Sequence, residues 1–299
     1  MKLVTFRKKG FKFSQAGIQT DLGIFPLSKA LECNGQDPGV GESVLKYIQL
    51  PWEIQAKIEA FAQKEFSKED LLNVDRVDLL APVPCPSKVL GVAFNYYELC
   101  TYRGVKPPLE PVFFAKLPTS VVGPSDPVIV PSIIDKVDYE AELGIVIGRS
   151  GRRISSDKAY SYIAGYTLVN DVTAKFLPGT TEAAPNVLIE LKGVDTFAPT
   201  GAHLITLVDI PDYKQLTIKC WVNGDKRQEF KPSDMIFSIP DLIESLSKRF
   251  TLCPGDLILT GTSVGVGITQ EPPIFLNNGD IVECEIEGLT RIRNEFVFE

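Results

Sequence analysis

Residues 137–148 read Val-Asp-Tyr-Glu-Ala-Glu-Leu-Gly-Ile-Val-Ile-Gly, and this stretch leaves the fold little choice. Successive side chains of a strand face opposite ways. Asp138, Glu140 and Glu142 therefore share one face, and Tyr139, Ala141 and Leu143 the other. The apolar run Leu143–Ile147 that follows has the pattern of a strand covered on both sides. A row of carboxylates leading into such a strand is costly to bury unless positive charge meets it. Either a cation sits between the carboxylates at i and i+2, or an edge strand turns a polar stripe to water. With no histidine or thiolate nearby, the cation is a hard one: Mg²⁺, Mn²⁺ or Ca²⁺.

A second source of carboxylate lies at Tyr166-Thr-Leu-Val-Asn-Asp, where an apolar strand ends in Asp171. That residue either closes an Asx-turn or joins Glu140 and Glu142 in a facial set with open coordination positions. Histidine occurs once, as His203, in the apolar context Ala202-His-Leu-Ile-Thr. Mechanisms needing two imidazoles are excluded, zinc proteases among them, and His203 reads as a satisfied core or surface residue. Past another strand, Thr260-Gly-Thr-Ser-Val-Gly-Val-Gly matches no nucleotide-binding fingerprint. It is a Gly-rich turn, or a loop aiming N–H groups and the Thr262 hydroxyl at an anion. Lys192 and Lys116 are either solvated or, beside a metal centre, able to polarise a carbonyl or carry a proton.

Organisation changes along the 299 residues. Two short strands (Lys2–Arg7, Phe11–Phe13) and a helical stretch from Ser43 to Phe66, divided at Pro51, form a small α/β arm over 1–78. Pro82, Pro84 and Pro86 mark an extended linker. From 79 to 299 short strands dominate, with an Asn223-Gly224 hairpin and helices at Ser155–Ile163 and Ser238–Phe250, Ser238 serving as N-cap. The expected class is α+β, β-rich. A net charge of −7 argues against nucleic-acid and anionic-membrane partners. No run spans a bilayer, and no secretory signal is expected at the start. The six cysteines lack metal or disulfide spacing and read as buried free thiols of a reducing, cytoplasmic protein.

From Pro82 onward, collinear motifs resemble the fumarylacetoacetate hydrolase family. They are Asn95-Tyr96, Phe113-Phe-Ala-Lys116, Asp138-Tyr-Glu-Ala-Glu142, Asn170-Asp-Val-Thr-Ala174, Lys192-Gly-Val-Asp-Thr-Phe197, Pro254-Gly-Asp256 and the Gly-rich loop. The likeness is closest to the domain-containing protein 2-like branch, which has a small N-terminal domain. It implies a mixed β-roll catalytic domain, a homodimer, and Mg²⁺ (or Mn²⁺ or Ca²⁺) on Glu140, Glu142 and Asp171. It also implies Lys192 as the active-site lysine and Thr262 as substrate-contacting; Lys116 or Tyr97 is expected as a further proton carrier, and Asn95, Tyr96, Lys175 and Gly261 as substrate-facing. The implied substrate is a small oxo-acid or 1,3-dicarbonyl, whose enolate a dication stabilises.

The chain departs from the family where a His–Glu pair is thought to activate water: Leu99 and Tyr102 stand there. Lys175 and Phe176 replace Arg and Asp, Ser263 replaces a proline, and Gly179–Asn186 is unlike the family. Loss of a general base weakens hydrolysis by roughly 10²–10⁴-fold. Tautomerisation, decarboxylation or cyclisation is therefore expected. The alternatives are C–C hydrolysis of an acylpyruvate, with Glu98 or metal-bound hydroxide as substitute base, and an inactive metal-binding scaffold.

Overall fold

The computed structural model describes residues 1–176 and 188–299, which leaves the Phe176 side chain and the Gly179–Asn186 stretch outside the described residues. Its centre is the strand Ala141–Ile147, buried at every position. Ala141, Leu143, Ile145 and Ile147 face a core shared with a second sheet. Val146, on the opposite face, packs in a core built with the N-terminal segment, including Leu3, Leu31 and Tyr47. The expected two-sided cover is what is seen, and the near-continuous apolar pattern is its cause.

The central strand lies inside a ten-stranded sheet. Its neighbours are Ile163–Asn170 on one side and Leu257–Leu259 on the other, followed by Val89–Ala93 and Val112–Lys116. Beyond Ile163–Asn170 come His203–Ile205 and the N-terminal strands Lys2–Lys8, Ser14–Thr20 and Gly23–Pro26, and the tenth strand, Val77–Leu80, also pairs with Lys2–Lys8. Lys2 pairs with Ile205 and Val4 with His203, antiparallel. The five-stranded second sheet holds Asp225–Phe230, Ile218–Val222, Ile281–Ile286, Thr290–Phe298 and Val128–Val130. The architecture is mixed α+β and strand-rich.

Local signals account for several boundaries. Asn223 and Gly224 both adopt positive φ (51° and 87°), the backbone of a two-residue turn matched to strand twist. Ser238 accepts from the Asp241 N–H, and the Asp241 carboxylate accepts from the Ser238 N–H. This capping box starts helix Ile239–Arg249. Two expectations are corrected. Phe11–Phe13 is an exposed connection turned by Gly10, and the strand begins at Ser14. The acidic strand is not continuous from Val137 to Ile147: Lys136–Asp138 leaves the main sheet and pairs with Thr173–Phe176. The break arises because Asn170 Oδ1 takes the Glu140 N–H and the Glu140 carbonyl takes the Asp171 N–H.

All six cysteines are free, with Cys100, Cys220 and Cys284 buried but Cys33 and Cys85 exposed. His203 is half-buried with Nδ1 2.9 Å from Thr290 Oγ1. Burial, then the Lys2 charge, pushes its pKa down to about 4. An unfolded histidine takes its proton near pH 6.5, so the unfolded state binds the proton first as pH falls. Stability is therefore lost between roughly pH 6.5 and 4, by an order-of-magnitude 3 kcal/mol. His203→Gln is expected to remove that part of the acid sensitivity, read as Tm against pH beside the wild type. Parallel curves would contradict it.

Candidate metal centre and active-site pocket

Register brings the acidic residues together. Ala141 pairs with Asn170, so Glu140 and Asp171, one residue beyond each, meet where the two strands part. Glu142 points to the same side from inside the strand. One oxygen from each of Glu140, Glu142 and Asp171 lies within 4.8 Å of the others. Asp138 does not join them. Its carboxylate accepts N–H groups from Gly267 (2.6 Å) and Ile268 (3.0 Å), fastening the Gly-rich loop.

Three lysines meet this charge. Lys192, closing the helix Leu188–Lys192, places Nζ 3.0 Å from Glu140 Oε2, 2.8 Å from Thr173 Oγ1 and against Asp171 Oδ2. The same ammonium lies 4.5 Å from the Phe114 ring centroid, a favourable cation–π arrangement. Lys116 Nζ, fully buried, holds Asp171 Oδ1 at 2.7 Å and the Val172 carbonyl at 3.0 Å. Lys175 bridges Glu140 (3.0 Å) and Asp138 (3.3 Å).

Burial pushes Glu140 up, but Lys192 and Lys175 together outweigh it and bring its carboxyl down to about 2. Glu142 goes the other way, raised well above the usual range by burial and then by the neighbouring Asp171 charge. Burial favours neutral Lys116 and lowers it despite Asp171. For Lys192, burial is overcome by Asp171, Glu140 and Glu142, and its ammonium is held well above the ordinary range. A carboxylate poor in direct cation partners beside two rich in them is a set that gains from a further hard cation. Every donor in the triad is oxygen, and the Lys192 ammonium already stands among them as a cation. The residues fit a hard divalent ion.

The Gly-rich loop forms the adjoining wall. Gly261 donates its N–H to Glu142 Oε2 at 2.6 Å. Its φ is +95°, and a Cβ there would come within 3.0 Å of the Val92 carbonyl. Thr262 lines the cavity while its hydroxyl donates to the Ala141 carbonyl (2.9 Å) and accepts from Gln228 Nε2 (2.9 Å). Ser263, in place of the expected proline, donates to Glu98 Oε2 at 2.9 Å. The resulting cavity of ≈310 Å³ borders Glu140, Glu142, Lys175, Lys192 and Thr262, with Leu99 and Leu191 among its apolar lining.

Other sequence candidates sit further off. Asn95 is buried and spends its amide on the Phe237 N–H and carbonyl and the Thr260 carbonyl. Tyr96 is buried with its ring edge-on to Phe230 at 5.1 Å. Tyr97 is exposed, two residues from Leu99 and so on the other side of the helix Tyr97–Tyr102. Among the described residues the cavity lining includes neither Tyr97 nor Lys116. The sequence reading missed Gln228, which looks like any hairpin polar residue until its partners are seen. It also missed Arg103, which lines the cavity one turn after Leu99.

Carboxylates converging at parted strand ends, backed by buried lysines and opening on a small apolar-walled cavity, make an enzyme site whose acidic group could hold a divalent ion. The chain belongs to the fumarylacetoacetate hydrolase family: residues 88–297 match "Fumarylacetoacetate (FAA) hydrolase C-terminal". It is 35% identical to oxaloacetate tautomerase fahd2, mitochondrial, of Xenopus laevis over 99% of this chain and 90% of that one. Identity is also 35% to oxaloacetate tautomerase FAHD2B, mitochondrial, of Homo sapiens, over 99% and 92%. Among solved structures, maleylpyruvate hydrolase of a Sphingobium species, in complex with manganese(II) and pyruvate, matches with TM-score 0.77 and 27% identity, covering 100% of this chain and 99% of that one. Both tautomerases are mitochondrial by name, which overturns the cytoplasmic location expected from the free cysteines; a reducing interior is not unique to the cytosol.

Proposed function

We propose that this chain is a mitochondrial, Mg²⁺-dependent keto–enol tautomerase of a small oxo-acid of the oxaloacetate kind, acting as a homodimer. The observation that carries the reading is the Glu140–Glu142–Asp171 triad, with a lysine ammonium already seated in it, beside a wall where Leu99 offers no base for water. The tautomerase names of its full-length relatives support the substrate class, and the manganese complex supports a divalent ion.

A dication held by Glu140, Glu142 and Asp171 would supply Lewis acidity toward the oxygens of an oxo-acid. The chain's own residues do the rest. Lys192, held charged, donates toward the substrate oxygen on which charge develops and is placed to pass a proton. Lys175 balances Glu140 and Asp138 on the cavity lining. Apolar side chains of Leu99, Leu191 and Val266 keep water from the reacting carbon. No step requires an activated water.

Enol consumption followed by ultraviolet absorbance is expected to fall to the uncatalysed rate after EDTA and to return with added Mg²⁺ or Mn²⁺. In H₂¹⁸O, no labelled carboxylic cleavage product is expected. Undiminished turnover in EDTA overturns the metal role, and a labelled cleavage product transfers the chain to the hydrolases.

A further inference from the structure

Burial grades sharply across the cavity. Its floor is closed, with Glu142 1%, Thr262 5% and Lys192 7% exposed, whereas Arg103 at the rim is exposed. The Arg103 N–H donates to the Leu99 carbonyl at 3.0 Å, which sets the two side chains one helical turn apart on one face. That face therefore presents an apolar group and then a guanidinium to the same space. The other cations on the lining are committed, Lys175 to Asp138 and Glu140, Lys192 to Glu140 and Asp171. Among the described residues Arg103 is in no ion pair. A planar fork at the mouth of a cavity whose acidic, metal-suited pole lies at the bottom matches a ligand with two carboxyl ends.

We infer that Arg103 is a specificity-determining residue, holding the distal carboxylate of a dicarboxylic oxo-acid while the oxo-acid head lies at the triad. The orientation rests on the enolising reading above; the contact is this side chain's own. Leu99 lines the same cavity one turn from Arg103, an apolar wall that suits uncharged linking carbons between two charged termini. A monocarboxylic oxo-acid gains nothing at the rim, and this residue separates the two classes.

The test uses two inert ligands, N-oxalylglycine and oxamate, which share the oxalyl head and differ in the distal carboxylate. Calorimetric titration of the Mg²⁺-loaded protein is expected to show N-oxalylglycine bound about tenfold more tightly. Arg103→Gln is expected to abolish that preference and leave oxamate unchanged, and Arg103→Lys to keep part of it. In kinetics, Arg103→Gln raises KM for oxaloacetate about tenfold with kcat nearly constant. A preference that survives Arg103→Gln, or one absent from the wild type, overturns the assignment whatever the turnover. A preference that collapses in a protein without tautomerase activity upholds Arg103 and removes the enolising reading instead. The exposed rim position makes misfolding of the variant a poor explanation for either result.

Discussion

Asp171→Asn is expected to abolish turnover and to destabilise the protein more than an ordinary surface change. Both Asp171 oxygens are taken, one by Lys116 and one by Lys192, and the carboxylate is wholly buried. The amide keeps the shape but leaves Lys116, itself fully buried, facing a neutral group. Breaking a buried ion pair from one side costs about 3–5 kcal/mol, which for a chain this long lowers Tm by roughly 5–15 °C. One of the three carboxylates proposed to hold the dication is lost as well, so activity should fall about 10³-fold or more. Calorimetry and the enol assay read the two effects separately. An unchanged Tm would mean that Lys116 finds another partner and that the buried network is not what sustains the site.

Lys192→Met is expected to destabilise the metal-free protein strongly and the Mg²⁺-saturated protein only a little. Removing the ammonium leaves Glu140, Glu142 and Asp171 clustered around an apolar chain end, so metal-free protein should lose a comparable 5–15 °C in Tm. Saturating Mg²⁺ should recover most of that loss, because a ligand that binds only the folded state stabilises it in proportion to ln(1 + [L]/Kd). The Mg²⁺-induced rise is thus larger in the variant than in the wild type, whose lysine competes for the same oxygens. Turnover stays low even when metal is restored, by roughly 10²–10⁴-fold, since the group proposed to handle the proton is gone. An equal Mg²⁺ shift in both proteins would show that lysine and dication do not share the triad.

Much of this site was legible before any coordinates. Carboxylates at alternate positions leading into an apolar strand, and an aspartate at the end of another, made Asp138, Glu140, Glu142 and Asp171 candidates, because buried like charge needs a reason, and the family resemblance narrowed them to Glu140, Glu142 and Asp171. The hairpin at Asn223-Gly224 and the cap at Ser238 were equally readable, since each rests on the chemistry of one or two adjacent residues. The break at Tyr139–Glu140 was not. It depends on Asn170 side-chain bonding across strands, and alternation alone extends the strand through it. Gln228 and Arg103 were missed for the same reason: their roles come from partners or a cavity distant in sequence. The N-terminal strands were expected within a separate arm, and nothing local announces that Lys2–Lys8 is paired to residues two hundred positions away.

That pairing has a practical consequence. Lys2–Lys8 joins the N-terminal strands to the sheet that carries the triad, with Gly23–Pro26 at the margin beyond, and the core beneath mixes Leu3 and Leu31 with Val146, Val169, Leu204 and Leu257. Cutting the chain at its proline-rich junction would strip that margin and bare both an unsatisfied backbone ladder and an oily flank. Such a fragment is an invitation to edge-to-edge association, so the front of this molecule behaves less as an accessory than as the keystone without which the catalytic half would seek a substitute in its own copies.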